Sequence, residues 1–116
     1  MKQISDLTEE TSQWFYVVSD SGEKINIYLY FLPTQQSWFV DVSCDTFEVT
    51  GLRVCALPNI LDKFHNLIDF GIYIKTEDGY DPWRVDDFSS DYAKFFLLNK
   101  EDVSKITEYL DGKSES

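Results

Sequence analysis

The sequence is short of most of the residues that carry chemistry. It holds one histidine, two cysteines, three prolines and five glycines among 116 residues, with ten cations against twenty-one carboxylates. A lone imidazole, His65, leaves no histidine pair for a zinc site. Cys44 and Cys55 are spaced for neither a Cys-x-x-Cys redox pair nor a zinc knuckle, and they read as ordinary thiols of a reducing compartment. There is no Gly-x-Ser-x-Gly elbow, no P-loop and no Gly-x-Gly-x-x-Gly fingerprint. No catalytic residue, metal ligand or cofactor is expected, and the chain is expected not to be an enzyme. A formal charge of −11 with no clustered cations repels phosphate and argues against direct binding to nucleic acid. No apolar run approaches the roughly 18 residues of a membrane span. The acidic start, Met1 to Glu10, lacks the apolar h-region of a secretory leader, so synthesis in a cytoplasm is expected.

What is present is β-forming. Apolar residues make up 43% and aromatics 16% of the chain, which excludes intrinsic disorder. In the stretch from Glu23 to Ser43, Ile25, Ile27, Leu29 and Phe31 fall at every second position, as do Trp38, Val40 and Val42. That period predicts a hairpin with one face committed to a core, closed by the loop from Pro33 to Ser37. A first strand is predicted from Gln13 to Val18 and a fourth from Phe47 to Thr50. Gly51 should mark a bulge or bend, with Leu52, Val54 and Ala56 continuing the sheet. Further strands are predicted from Phe70 to Lys75 and from Ala93 to Leu98, with Trp83 to Val85 as a brief strand or aromatic anchor.

Two helices complete the pattern. Pro58 suits a helix N-terminus, and Ile60, Leu61, Phe64, Leu67 and Ile68 form an amphipathic stripe, with His65 on the polar side. Asn99 and Asp102 have capping-box spacing ahead of Val103, Ile106, Tyr109 and Leu110, and Gly112 is a natural stop. The expected fold is mainly β (α+β). It is a small antiparallel barrel or sandwich of about seven strands with one inserted and one C-terminal helix. One domain should cover residues 11–112, after a flexible arm over 1–10 and before a disordered tail over 113–116.

Two features invite a functional reading. Glu77, Asp78, Asp81, Asp86, Asp87 and Asp91 surround Arg84. Their spacing fits no EF-hand, and Pro82 and Trp83 interrupt it, so a solvated acidic face is the default and cation binding stays open. The second feature is a surplus of aromatics. Tyr28 and Tyr30 lie opposite the core face of their strand, and Phe39 lies opposite Trp38 and Val40. These residues either pack under a helix or, together with Tyr80 and Trp83, form a protein interface. A carbohydrate surface using Trp14, Trp38 or Trp83 is a further possibility.

The order of features resembles the baseplate plug proteins of contractile-tailed bacteriophages, of the cyanophage plug type. The likeness lies in Ile25-Asn-Ile-Tyr-Leu-Tyr with Ser37-Trp-Phe-Val-Asp-Val42, then Val49-Thr-Gly-Leu-Arg-Val54 and Leu57-Pro-Asn-Ile-Leu61. It continues through Phe70-Gly71, Asp81-Pro82 and Phe95-Phe-Leu-Leu98, covering roughly Gln13 to Leu98. The N-terminal arm and the capped helix from Lys100 to Leu110 depart from that pattern. The resemblance implies a β-barrel-like structural protein of the virion, made in the host cytoplasm and packed against hub, tube or spike proteins of the tail baseplate near its channel. The competing expectation from small size and acidity is an inhibitor, an immunity protein or a nucleic-acid mimic that binds a basic protein.

Overall fold

The computed structural model of the chain describes residues 2–5, 7–19 and 21–114, the last six of these as backbone alone. Alternating apolar residues build seven strands into two antiparallel sheets. The larger sheet runs in chain order through β2 (Ser12–Val18), β3 (Lys24–Leu32), β4 (Ser37–Cys44) and β5 (Phe47–Arg53). The smaller has the order β1 (Lys2–Ile4), β7 (Ala93–Leu98), β6 (Gly71–Thr76). A helix, α1 (Lys100–Ser114), follows β7.

The period of two sets the core. Ile25, Ile27 and Leu29 of β3 and Trp38, Val40 and Val42 of β4 are all buried, in the register Ile27↔Val42, Leu29↔Val40 and Phe31↔Trp38. The smaller sheet answers with Ile72↔Leu97 and Ile74↔Phe95, and the buried residues of both sheets form one cluster. Phe15 meets Phe95 edge-on at 5.8 Å, and Phe88 packs between Trp38 and Phe95. Each such aliphatic or aromatic side chain removed from water stabilises the fold by about 1.5–3 kcal/mol.

The sheets are open, so of the expected barrel or sandwich the barrel is excluded, including the one implied by the resemblance. A barrel requires the first and last strands of a sheet to pair. Here the chain leaves β5 after Val54 N bonds Trp38 O, and residues 55–70 carry it to the other sheet. The larger sheet therefore keeps edges at β2 and β5, and the smaller keeps edges at β1 and β6.

Several local expectations hold. The β4–β5 register shifts between Val40 and Val42, opposite Gly51 at φ +69°, so Gly51 does mark a bulge. The capping box forms reciprocally, with Asp102 N donating to Asn99 Oδ1 at 2.8 Å and Asn99 N to Asp102 Oδ2 at 3.3 Å.

Others are corrected. The inserted helix shrinks to a 3-10 turn, Asp62–Phe64. Asn59 ties its start to β6, with Oδ1 accepting from Leu61 N and Ile72 N and with Ile60 N bonding Ile72 O. Beyond it the backbone closes i−3 bonds, Phe64 N to Leu61 O and His65 N to Asp62 O, in place of a helical ladder. Gly71 permits this approach, since a Cβ there would lie 2.6 Å from Asn59 Oδ1. Ile60, Leu61 and Ile68 of the predicted stripe are buried, while Leu67 is exposed. Lys2–Ile4, placed in the flexible arm, form β1 on β7. Trp83 to Val85, expected as a brief strand or an aromatic anchor, form no strand: Trp83 has no regular structure, Arg84 sits in a bend and Val85 opens a turn. The last helix passes Gly112 to Ser114, so Lys113 and Ser114 of the expected tail are helical, and residues 115 and 116 lie outside the described residues.

Candidate functional site

Pleating gives the larger sheet a second, outward face, and the sequence fills it with rings. Trp14 stands opposite Tyr28, and Tyr30 stands opposite Phe39. Because alternate residues share a face, Tyr28 and Tyr30 are also neighbours along β3. The rings stack in a continuous ladder. Trp14 and Tyr28 are 4.0 Å apart between centroids at 12°, Tyr28 and Tyr30 are 4.9 Å apart at 27°, and Tyr30 and Phe39 are 5.9 Å apart at 22°. Stacked pairs of this kind are worth about 0.5–1.5 kcal/mol each beyond their buried area.

Among the described residues, neither helical segment covers this face. Helix α1 packs along β7, and Phe64 of the 3-10 turn rests on Phe47. Trp14 is 77% exposed, while Tyr28, Tyr30 and Phe39 are half-buried. Packing under a helix, one of the two alternatives left open by the sequence, is not found among the described residues.

Carboxylates edge the ladder. Asp41 accepts from the Tyr30 hydroxyl at 3.3 Å and from Gly51 N at 2.7 Å, which fixes its side chain between the ladder and the bulge. Burial, with Asp41 second, pushes the Tyr30 hydroxyl above the usual tyrosine range. A shallow cleft of about 210 Å³ has Trp14 and Tyr28 among its lining together with Asp41, Ser43, Glu48 and Thr50. Apolar rings beside fixed carboxylates suit an apolar partner surface edged by Lys or Arg.

The ladder unites Tyr28, Tyr30 and Phe39 and adds Trp14. Tyr80 and Trp83 belong elsewhere. Both are exposed in the segment between β6 and β7, and among the described residues no ring contact joins them to the ladder. Arg84 lies 5.3 Å over the Trp83 ring instead. Trp38, a candidate for carbohydrate contact, is fully buried and donates its Nε1 to Arg84 O at 2.9 Å.

The acidic segment is organised from within. Asp87 is wholly buried and accepts from Trp83 N at 2.7 Å, Arg84 N at 2.8 Å and Arg84 Nε at 3.1 Å. These bonds fold the segment over Trp38. Asp81 bonds Ala56 N at 2.8 Å, and Asp78 accepts from the Tyr92 hydroxyl, which holds the Asp78 carboxyl low and pushes Tyr92 up to about 12. Asp78, Asp81 and Asp87 thus serve backbone and side-chain donors, and Asp86 and Asp87 both approach Arg84 Nε, at 3.9 and 3.1 Å. Among the described residues, no group of three or more His, Cys, Asp or Glu side chains is placed to hold a metal ion. His65 is half-buried, with Nδ1 2.6 Å from Asp62 O, and burial raises the Cys55 thiol.

Sequence reasoning missed Asp87 as a structural centre, because nothing in a run of acids distinguishes the buried one. The ladder was legible in part. The signal for Trp14 was its alternation with Phe15, once β2 is registered against β3.

No protein-family model matches this chain, and no curated protein matches it.

Proposed function

We propose that the chain is a structural, non-enzymatic protein that docks into a larger assembly through the aromatic ladder of its larger sheet. The carrying observation is that Trp14, Tyr28, Tyr30 and Phe39 stack in register on a face that, among the described residues, no other element covers. Aromatic side chains are the typical anchors of protein interfaces, and rings already immobilised by stacking lose little further entropy on docking. The setting we propose is the baseplate of a contractile phage tail, with the chain packed in plug-like fashion against hub, tube or spike proteins. Its support is the resemblance running from Gln13 to Leu98, and the −11 charge suits a neighbour of a channel that DNA must pass without sticking.

The test is twofold. Purified particles should contain the protein in stoichiometric amount by mass spectrometry, and co-expression with neighbouring tail proteins should yield a complex that the Tyr28→Ser, Tyr30→Ser double variant fails to form. A protein absent from the particles refutes the setting.

A second reading is favoured by the carboxylates Asp41 and Glu48 in the cleft beside the ladder: a small inhibitor of a basic protein. Its signature is binding to a basic nuclease or toxin that strengthens as salt is lowered.

The stacking counts against a carbohydrate platform on the ladder. Sugar binding of that kind uses open ring faces, and in this ladder Tyr28 and Tyr30 each stack against two other rings.

A further inference from the structure

One rim of the larger sheet is bare. β2 is its edge strand, and backbone bonds bracket the β2–β3 ladder at Phe31 N to Thr11 O (2.7 Å) and Ser19 N to Glu23 O (2.9 Å). Bonded and non-bonded residues alternate in an antiparallel pair. Thr11 and Ser19 face β3, so in the unbroken register between them Gln13, Phe15 and Val17 do too. The amides and carbonyls of Ser12, Trp14, Tyr16 and Val18 therefore point away from the sheet. Among the described residues, no strand pairs with them.

Edge strands are ordinarily blunted by charge, proline, bulges or shortness. β2, seven residues reading Ser-Gln-Trp-Phe-Tyr-Val-Val, has none of these protections. Trp14, Tyr16 and Val18 are 77%, 61% and 55% exposed. A groove of about 540 Å³ runs along the rim, and its opposite wall is β1 with Leu7. A row of outward amides and carbonyls is satisfied by another extended backbone, with alternate side chains reading the groove.

We infer that this groove takes an extended segment of a different, basic protein as an added strand on β2. Charge selects the occupant. Exposed Glu9 and Glu10 precede β2 and Glu23 closes its far end, while Lys24 lies over the Tyr16 ring at 4.5 Å and Lys2 stands on the β1 wall. A second copy would bring another −11, whereas a segment alternating apolar residues with Lys or Arg brings the complement. The inference rests on the reading that the protein docks onto other proteins, but it uses the backbone rim of β2 and shares only Trp14 with the ladder.

The probe is the capped peptide Lys-Val-Thr-Val-Lys-Val, compared with Glu-Val-Thr-Val-Glu-Val, on the full chain followed by NMR. The lysine peptide should bind about tenfold or more tighter. It should slow hydrogen exchange at the amides of Trp14, Tyr16 and Val18, leaving those of Phe15 and Val17 as they were. Tyr16→Pro removes an outward donor and no bond to β3, and should weaken binding about tenfold, whereas Tyr16→Ala keeps the donor and should stay within about threefold. Binding that leaves the rim amides exchanging fast in the wild-type chain, or no preference for the lysine peptide, overturns the proposal. So does a self-associated protein whose rim amides are protected, which would assign the edge to a second copy. The Tyr28→Ser, Tyr30→Ser variant should still bind the peptide. If it loses its assembly partner but keeps the peptide, both readings stand. If peptide binding fails while ladder-dependent docking persists, only the rim proposal falls.

Discussion

The larger sheet carries apolar residues on both faces, yet among the described residues only one of them is covered. On the inner face Trp38 meets Phe31 and Phe88, and the smaller sheet lies beyond. On the outer face Trp14 meets Tyr28 and then solvent. Alternation in a strand tells which residues share a side, but what covers a side depends on the path of the rest of the chain. The difference also shows in residue type. The inner face mixes aliphatic residues with Phe15, Phe31 and Trp38, which have no polar tip or bury it, whereas the outer face is built of rings, among them Tyr16, Tyr28 and Tyr30, whose hydroxyls tolerate water at one end.

The sharpest test of that contrast places one substitution on each face. Trp38→Ala removes a fully buried ring and orphans its bond to Arg84 O, and should cost about 3–5 kcal/mol in urea unfolding. Trp14→Ala loses one stacked neighbour of a largely exposed ring and should cost about 1 kcal/mol. Equal costs would mean that the outer face is as structural as the inner.

The contrast can also be broken from the inner side. Asp87 holds the segment that lies over Trp38, so Asp87→Ala should uncover it. Leaving its donors unpaired should cost about 2–3 kcal/mol. The fluorescence of Trp38 should move to the red in the folded variant, as Trp14 and Trp83 are already exposed. An unshifted spectrum would show that Asp87 is not what seals the core.

A smaller effect on stability accompanies a larger one on docking at the ladder itself. Tyr28→Ser with Tyr30→Ser removes the middle of the stack, and should cost about 1–2 kcal/mol while the chain remains folded. Association with the partner should fall about tenfold or more. A large loss of stability with docking intact would make the ladder a scaffold element.

How much of this was legible follows from the range of each signal. The strands from Ile25 to Val42 and the Asn99–Asp102 cap are written in local spacing, and both formed. The stripe from Ile60 to Ile68 was equally regular, but its backbone closes i−3 bonds and its start is tied through Asn59 to β6, a contact that local spacing does not carry. β1 is too short to carry a period of its own. Tyr28, Tyr30 and Phe39 could be assigned to one face, but their stacking with Trp14, and their separation from Tyr80 and Trp83, required strand register. Acidity alone gave no reason to single out Asp87 among its neighbours.

The smallest expected effect concerns how the outer face shields its own hydroxyl. Burial is the main cause of Tyr30's raised value and Asp41 comes second, while Tyr92, away from the ladder, is raised to about 12 chiefly by its bond to Asp78. A raised hydroxyl stabilises the fold in full below the unfolded value of about 10, and that contribution disappears as the pH climbs through the folded value. For Tyr92 the window runs from roughly 10 to about 12. In an ultraviolet titration of phenolate formation, Asp78→Asn should bring the latest step back towards the ordinary range and Tyr92→Phe should abolish it. The informative comparison is at Tyr30. If the ladder provides the shielding, Phe39→Ala should lower its ionisation more than Asp41→Asn does. The reverse order would mean that Asp41, and not the neighbouring rings, sets the environment of this face, and would make the stack a weaker shield against water than its geometry implies.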